Sequence, residues 1–573
     1  MGKLKGSMVH KVISTEMLPL RERPLHDPDE DTYVNLVKSI LQVGPMYFSY
    51  NLDLTNSFQR QAKSDPNTPL WMRADDRFFW NKFISSDLTD FRSGSGSIPG
   101  LRMAAGPRTA VDPFILPVIC GMLNISKTSI NGNTLTFMLI TRRSRHRTGT
   151  RYFSRGIDEN GNVSNYNETE QSIVLNDNDS VGNGSFSPVD NKMGREVQIL
   201  AYVQTRGSVP VMWSEVNKLK YTPELQVRGI DSAMDAAKIH FDEQIRLYGD
   251  NYLVNLVNQK GREARVKGAY EEMVRKLQSS TAESVNADGR STETVHVLDS
   301  KTNQQQFDRL HYVYFDFHNE TKGLKWHRAQ LLLDELSQPL QQQQYFHGIY
   351  NLSDRLARAE VRNVQRSIVR TNCMDCLDRT NVVQSMLGRH ALNRMLQDLQ
   401  LLPRGASADQ DATFESLFRN VWADNADVVS KMYSGTGALK TDFTRTGKRT
   451  RAGALQDLRN SVTRYVRNNF ADGPRQDAFD VFSGAYLPSS ASQDGAFLDR
   501  RPVPVQAMPY VLAGCMFIVV VASMTPRMPE AAVWPLRFVI GACLGVAAYV
   551  GRFMVQHGPL YVSLTCQRIT SVL

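Results

Sequence analysis

Cysteine is scarce in this chain: there are six in 573 residues, and of these only Cys120, Cys373 and Cys376 precede the apolar C-terminal region. So few, so unevenly spaced, they make no disulfide framework, as expected for a reducing compartment. Near Cys373-Met374-Asp375-Cys376 no second close Cys or Cys/His pair completes a tetrahedral metal site, so no metal or cofactor is implied. Met1 to Leu20 lacks a continuous apolar core, and no signal peptide is expected. Zinc-finger, RNA-recognition and basic-zipper signatures are also missing. The net charge of +9 and pI near 9.1 therefore point to anionic membranes or phosphorylated ligands rather than to nucleic acid. Gly435-Thr436-Gly437-Ala438-Leu439-Lys440-Thr441 lacks the glycine before lysine that a nucleotide P-loop needs, which excludes ATP binding there.

Long hydrophobic runs, by contrast, are present at the C-terminus. Residues 506–526 and 533–555 each reach the ~20 residues that a bilayer requires, and Arg537 and Arg552 stand near the ends of the second, where cationic side chains snorkel. These are read as two transmembrane helices forming a hairpin. Arg500 and Arg501 before it and Arg552, His557 and Arg568 at or after its end outweigh Arg527 in the connection, so the positive-inside rule puts both ends, and the rest of the chain, in the cytosol.

The chemistry is carried by Arg370-Thr371-Asn372-Cys373-Met374-Asp375-Cys376-Leu377-Asp378-Arg379-Thr380-Asn381. One cysteine is separated by five residues from an arginine. A loop of that length can curl its N–H groups inward around a phosphate, while arginine grips two phosphate oxygens as a fork. Ser367-Ile368-Val369 reads as a buried strand before it. Val382, Val383, Met386, Leu387, Ala391, Leu392 and Met395 recur at helical spacing after it. A helix N-terminus aimed at the loop would favour both a bound phosphate and a Cys373 thiolate.

Residues 1–185 read as β-rich, with strand-like Phe114 to Ile119 and Thr134 to Ile140 and turns at Asn131-Gly132 and Asn160-Gly161. The polar stretch 176–191 marks a boundary. Residues 186–487 alternate strand-like runs (Val197 to Val203, His311 to Phe317) with helical ones (Ser232 to Leu247, Tyr252 to Leu277, Lys325 to Leu336), as an α/β domain would. Ser279 to Thr294 reads as an exposed loop, 488–505 as a flexible juxtamembrane linker, and 557–573 as a short cytosolic tail. The arginine-rich run 142–155 and the cluster Lys440, Arg445, Lys448, Arg449, Arg451 are basic patches, read either as solvated faces or as a rim drawn to anionic lipid.

Cys373 to Thr380 with its flanking Arg-Thr-Asn and Thr-Asn resembles the signature of the Sac-domain (suppressor of actin) phosphoinositide phosphatases. So do Arg142 to Tyr152, Arg155-Gly156-Ile157-Asp158, Glu168-Thr169-Glu170, Gln204 to Pro210, Asp316-Phe317-His318, Trp422 to Asp427, Tyr433 to Asp442 and Asn468-Asn469-Phe470. The resemblance implies an α/β catalytic domain bearing a C-x5-R phosphate loop, preceded by a β-rich Sac amino-terminal subdomain and followed by the hairpin. It implies hydrolysis of inositol lipid phosphates through a phosphocysteine, without a metal, with phosphatidylinositol 4-phosphate as the main substrate and the 3-phosphate also accepted. Cys373 would be nucleophile and Arg379 would hold the transferring phosphoryl group. Asp378 or Asp375 would be the general acid, Asp378 being favoured by the similar C-x-D-x-x-D-R-T of the myotubularins. Met374, Cys376, Leu377, Thr380 and Lys440 would contact substrate. A member with two C-terminal spans is expected in endoplasmic reticulum and Golgi membranes as a multi-pass protein facing the cytosol. The competing readings are a protein tyrosine phosphatase and a non-catalytic phosphoinositide-binding tether.

Overall fold

The computed structural model describes residues 2–4, 7–18, 28–94, 108–176, 196–217, 219, 222–287, 307–322, 326–351, 358–487, 501–525 and 533–561. Its frame is a mixed sheet. Strands Ile119–Ile130, Asn133–Arg143, Asn167–Leu175 and Glu196–Arg206 form an antiparallel meander. Its first turn, Asn131-Gly132, has both residues at positive φ (49° and 80°), as a tight hairpin requires and as an Asn-Gly pair readily supplies. From Glu196–Arg206 the sheet continues in parallel through Ser367–Asn372, Asp250–Asn255 and Leu310–Tyr314. The expected boundary at 185 falls between two strands that pair from Asn167↔Arg206 to Leu175↔Gln198, so residues on either side of it share one sheet and one core.

Several local expectations are corrected. Phe114 to Ile119 is not a strand: a 3-10 helix spans Arg108–Phe114 and the strand starts only at Ile119, because Pro113 and Pro117 offer no ladder donors. Tyr252 begins no helix. It lies in strand Asp250–Asn255, paired on both edges, and the helix that follows runs Ala264–Ala287. That helix takes in 279–287 of the stretch expected to be an exposed loop, whose remainder lies outside the described residues. The expected helix Lys325 to Leu336 is, among its described residues, a 3-10 turn, Trp326–Ala329, and a short helix, Gln330–Glu335, with a further short helix, Ser337–Gln343, after it.

Two apolar layers cover the sheet around the parallel strands. One joins Phe137, Leu200, Val369, Val383, Leu387, Leu392, Met395 and Trp422 with Cys373; the other joins Leu253, Tyr270, Met273 and Leu310 with Met374. Successive residues after the strand thus enter opposite layers, as strand alternation dictates. At the C-terminus, helices Val503–Met524 and Val533–Gln556 are long and apolar enough to cross a membrane, with mean hydropathies of 2.1 and 1.9. They correspond to the expected spans 506–526 and 533–555. Tyr510, Phe517, Trp534 and Phe538 stand at least two-thirds exposed on them, apolar surface of a kind that seeks lipid. Residues 488–500 of the expected linker and 562–573 of the tail lie outside the described residues.

Candidate active site

Register places the site. Asn255 pairs with both Asn372 and Tyr314, so three parallel strands end level and their loops open together at one edge, where open α/β sheets bind ligands. Asn258, Phe317 and Cys373, each just past a strand end, line one cavity of about 320 Å³ with His318, Asp375, Leu377, Asp378, Arg379, Lys440 and Thr441. The loop Cys373–Leu377 leads directly into helix Asp378–Asp398, on which Val383, Leu387, Ala391, Leu392 and Met395 are buried. Strand, loop and helix therefore follow the order read from the sequence.

Cys373 is buried at 2% exposure. The Cys376 amide donates to its Sγ at 3.1 Å and the Thr380 hydroxyl at 3.4 Å. Hydrogen bonding from Cys376, the Arg379 charge and the Thr380 hydroxyl outweigh burial and pull the Cys373 thiol down to about 6, so it is thiolate near neutral pH. Cys376 goes the other way, pushed up by burial and by its neighbour. Its thiol donates to Gly207 O at 2.9 Å.

The two carboxylates differ. Burial alone would raise Asp375, but Arg151 and Arg155 outweigh it and hold its carboxyl well below the usual range. Arg151 binds it through both oxygens, at 3.1 and 2.8 Å, and Arg155 adds a third bond at 2.7 Å. Burial pushes Asp378 upward, against the Arg464 charge and the Leu439 amide that donates to it at 2.9 Å. Two aspartates three residues apart are thus driven in opposite directions, Asp375 towards its ionised form and Asp378 towards its protonated one.

Arg379 is turned aside. Its guanidinium donates to Leu256 O at 3.0 Å, to Asn258 Oδ1 at 2.9 Å and to Glu263 at 3.2 and 3.3 Å. Its fork is taken up by Glu263. Replacing Glu263→Gln removes the charge that competes with phosphate, and inhibition by orthovanadate should then tighten by about fivefold, the equivalent of ~1 kcal/mol. A dose-response curve checks this, and unchanged inhibition would show that Glu263 does not hold Arg379 back.

Among the residues expected to contact substrate, Leu377 and Lys440 line the cavity. The other three do not. Met374 buries its side chain in the opposite apolar layer, Cys376 faces Gly207 and Thr380 is fully buried against Cys373, so Met374 and Cys376 can offer substrate only their main chain. The arginine run 142–155 is not a lipid-facing rim. Arg142 pairs with Glu168 and Glu170 in the interior, Arg143 donates to main-chain carbonyls, and Arg151 and Arg155 brace the loop. A run of arginines interrupted by Gly, Ser and Thr does not distinguish these fates; the acidic partners sit far away in sequence.

A family model described as the SacI homology domain matches residues 1–322. The chain is 40% identical over 563 residues to the phosphatidylinositol-3-phosphatase SAC1 of Saccharomyces cerevisiae, covering 98% of this chain and 81% of that one. It is 39% identical to the Drosophila melanogaster protein of the same name, over 85% of this chain and 71% of the relative. Identity to the phosphoinositide phosphatase SAC6 of Arabidopsis thaliana is 32%, over 88% of this chain and 73% of the relative. With the family model matching residues 1–322 and the Saccharomyces cerevisiae relative matched over 98% of the chain, the chain belongs to the SacI homology domain family.

Proposed function

We propose that this chain is a phosphoinositide phosphatase working through a phosphocysteine on Cys373. The observation that carries this reading is one cavity holding a thiol drawn down to about 6 beside a carboxyl drawn up. The thiolate attacks phosphorus while the bond to the inositol oxygen breaks, and Asp378 gives that oxygen its proton. Arg379, swung from Glu263, and the loop amides hold the equatorial oxygens. Water then cleaves the sulfur–phosphorus bond, losing its proton to Asp378, and inorganic phosphate leaves. Asp375 stays ionised and fixes the loop through Arg151 and Arg155. No step calls for a metal.

The names of the relatives, phosphatidylinositol-3-phosphatase and phosphoinositide phosphatase, support inositol lipids as substrates. Within that class we assign phosphatidylinositol 4-phosphate as the main substrate, with the 3-phosphate accepted. The two apolar helices are assigned as a membrane hairpin that holds the catalytic part at the cytosolic face of endoplasmic reticulum and Golgi membranes. Phosphate release from short-chain inositol lipids against release from a phosphotyrosine peptide tests the substrate class. Release from the peptide alone would favour a tyrosine phosphatase, and release from neither a binding tether.

The pH profile follows from the two shifts. The reaction needs Cys373 ionised, which its thiol reaches near pH 6, and Asp378 protonated, so the rate should follow a bell. Asp378→Asn should flatten the alkaline limb and cost about 10²- to 10³-fold in kcat, whereas Asp375→Asn should leave that limb in place. An alkaline limb unmoved in Asp378→Asn would assign the acid elsewhere.

A further inference from the structure

Helix Arg451–Phe470 has its apolar side facing out. Leu455, Leu458, Val462, Val466 and Phe470 recur every three or four residues, one stripe of a helix. They are 69, 60, 57, 49 and 48% exposed. The opposite side is the anchored one: Arg464 is buried there, donating to Thr436, Ser430 and Gly437 O. A surface helix of a soluble domain normally turns such a stripe to the core, so this one awaits a cover.

Charge says what kind. Arg451 and Arg459 border the stripe, and neither has an ion-pair partner among the described residues. Beside them runs an open groove of about 510 Å³ to which Lys431, Arg459, Arg467 and Arg475 contribute and no carboxylate does. Position says where. The Tyr465 hydroxyl donates to Leu219 O at 2.6 Å, and Leu219 is buried against Val550, Met554 and Tyr561 at the base of the apolar hairpin. The stripe is therefore tied to the place where the two long apolar helices leave the rest of the protein.

We propose that helix Arg451–Phe470 docks flat on the anionic surface of the bilayer that holds the hairpin. Its apolar stripe enters the headgroup boundary, and Arg451, Arg459 and the groove lie on lipid phosphates and carboxylates, the arrangement of an interfacial helix. This rests on reading the hairpin as membrane-spanning. The docking reaches the catalytic cavity: the Lys440 amide donates to Asp457 on this helix at 3.0 Å, and Lys440 lines the cavity. Seating the helix thus holds the cavity wall against the lipid surface that carries the substrate.

The test uses the full chain in phosphatidylcholine vesicles with and without phosphatidylserine. An environment-sensitive fluorescent side chain replaces Val462 in one preparation and Phe517, in the first apolar helix, in another. Bromolipids should quench both, position 462 more strongly when phosphatidylserine is present. Leu458→Glu/Val462→Glu, on side chains more than half exposed and so without cost to folding, should lower hydrolysis of vesicle-borne substrate by about tenfold and leave short-chain soluble substrate unaffected. Quenching at 517 but not at 462 overturns the docking while leaving the hairpin in place. No quenching at 517 overturns the membrane reading and the docking with it. A fluorophore at 462 shielded from water yet unquenched by bromolipid would assign the stripe to a protein partner or a second copy, and likewise overturns the proposal.

Discussion

Replacing Cys373 by serine should abolish turnover, with a loss of about 10⁴-fold or more in kcat, while leaving fold and lipid binding intact. The argument is one of protonation. The sulfur is held as thiolate by the Cys376 amide, the Thr380 hydroxyl and the Arg379 charge; a serine hydroxyl in the same place stays protonated and is a poor nucleophile without an adjacent base. Cys373 is buried in the apolar layer with Val369, Val383 and Leu387, and serine is slightly smaller, so no steric clash follows. Phosphate release and vesicle co-flotation on the same preparation check both halves. Wild-type-like release in Cys373→Ser would exclude the cysteine route.

The second large effect is expected on stability. Arg155 is almost fully buried, and its guanidinium serves four partners: Glu215, Asp375 at 2.7 Å, and the Met374 carbonyl and Tyr433 hydroxyl at 3.1 Å each. Glu215 is also bound by Arg262 at 3.0 Å, so Arg155→Met leaves one charge partly compensated and strips Asp375 of a bond. Breaking a buried pair by removing one partner costs about 3–5 kcal/mol, enough to bring the unfolding midpoint of the purified chain down by several degrees. Because one planar fork reaches Glu215, Asp375 and two further oxygens, Arg155→Lys should not restore stability. Under the proposed mechanism activity should fall with it, since the Met374 carbonyl and the Asp375 carboxylate it holds belong to the loop that begins at Cys373. A midpoint within a degree of wild type would mean that the loop is braced by other contacts.

How much of this was legible beforehand depends on how local each signal is. The strand, loop and helix around Cys373 were legible because spacing and helical period lie within thirty consecutive residues. The two apolar helices were legible for the same reason, from run length alone. Asp250–Asn255 was misread because Tyr252 to Leu277 offers a helical pattern further on, while the pairing that makes it a strand comes from Leu310–Tyr314 and Ser367–Asn372. Phe114 to Ile119 was misread because Ile115, Val118 and Ile119 suit a strand, whereas Pro113 and Pro117 keep the chain out of the ladder until Ile119.

Within the site, the motif brings Cys373, Asp375, Asp378 and Arg379 together, but the opposite electrostatic setting of the two aspartates is not legible in it. It depends on Arg151 and Arg155, more than two hundred residues away. Glu263 carried no motif at all. Its hold on Arg379 exists only because strand Asp250–Asn255 and the loop strand end side by side. The outward stripe of helix Arg451–Phe470 was not read from the sequence, and only the burial of Arg464 shows which side faces in.

The most direct measurement is a rapid acid quench of the full chain during turnover of an inositol lipid labelled with radioactive phosphate, followed by mapping of the labelled peptide. Label should appear on the peptide containing Cys373 as S-phosphocysteine, identified by its release with iodine, within the first turnover, and should accumulate in Asp378→Asn, where hydrolysis of the intermediate loses its base. Phosphate released with no label ever captured on Cys373, or label captured on another residue, would contradict a phosphocysteine mechanism.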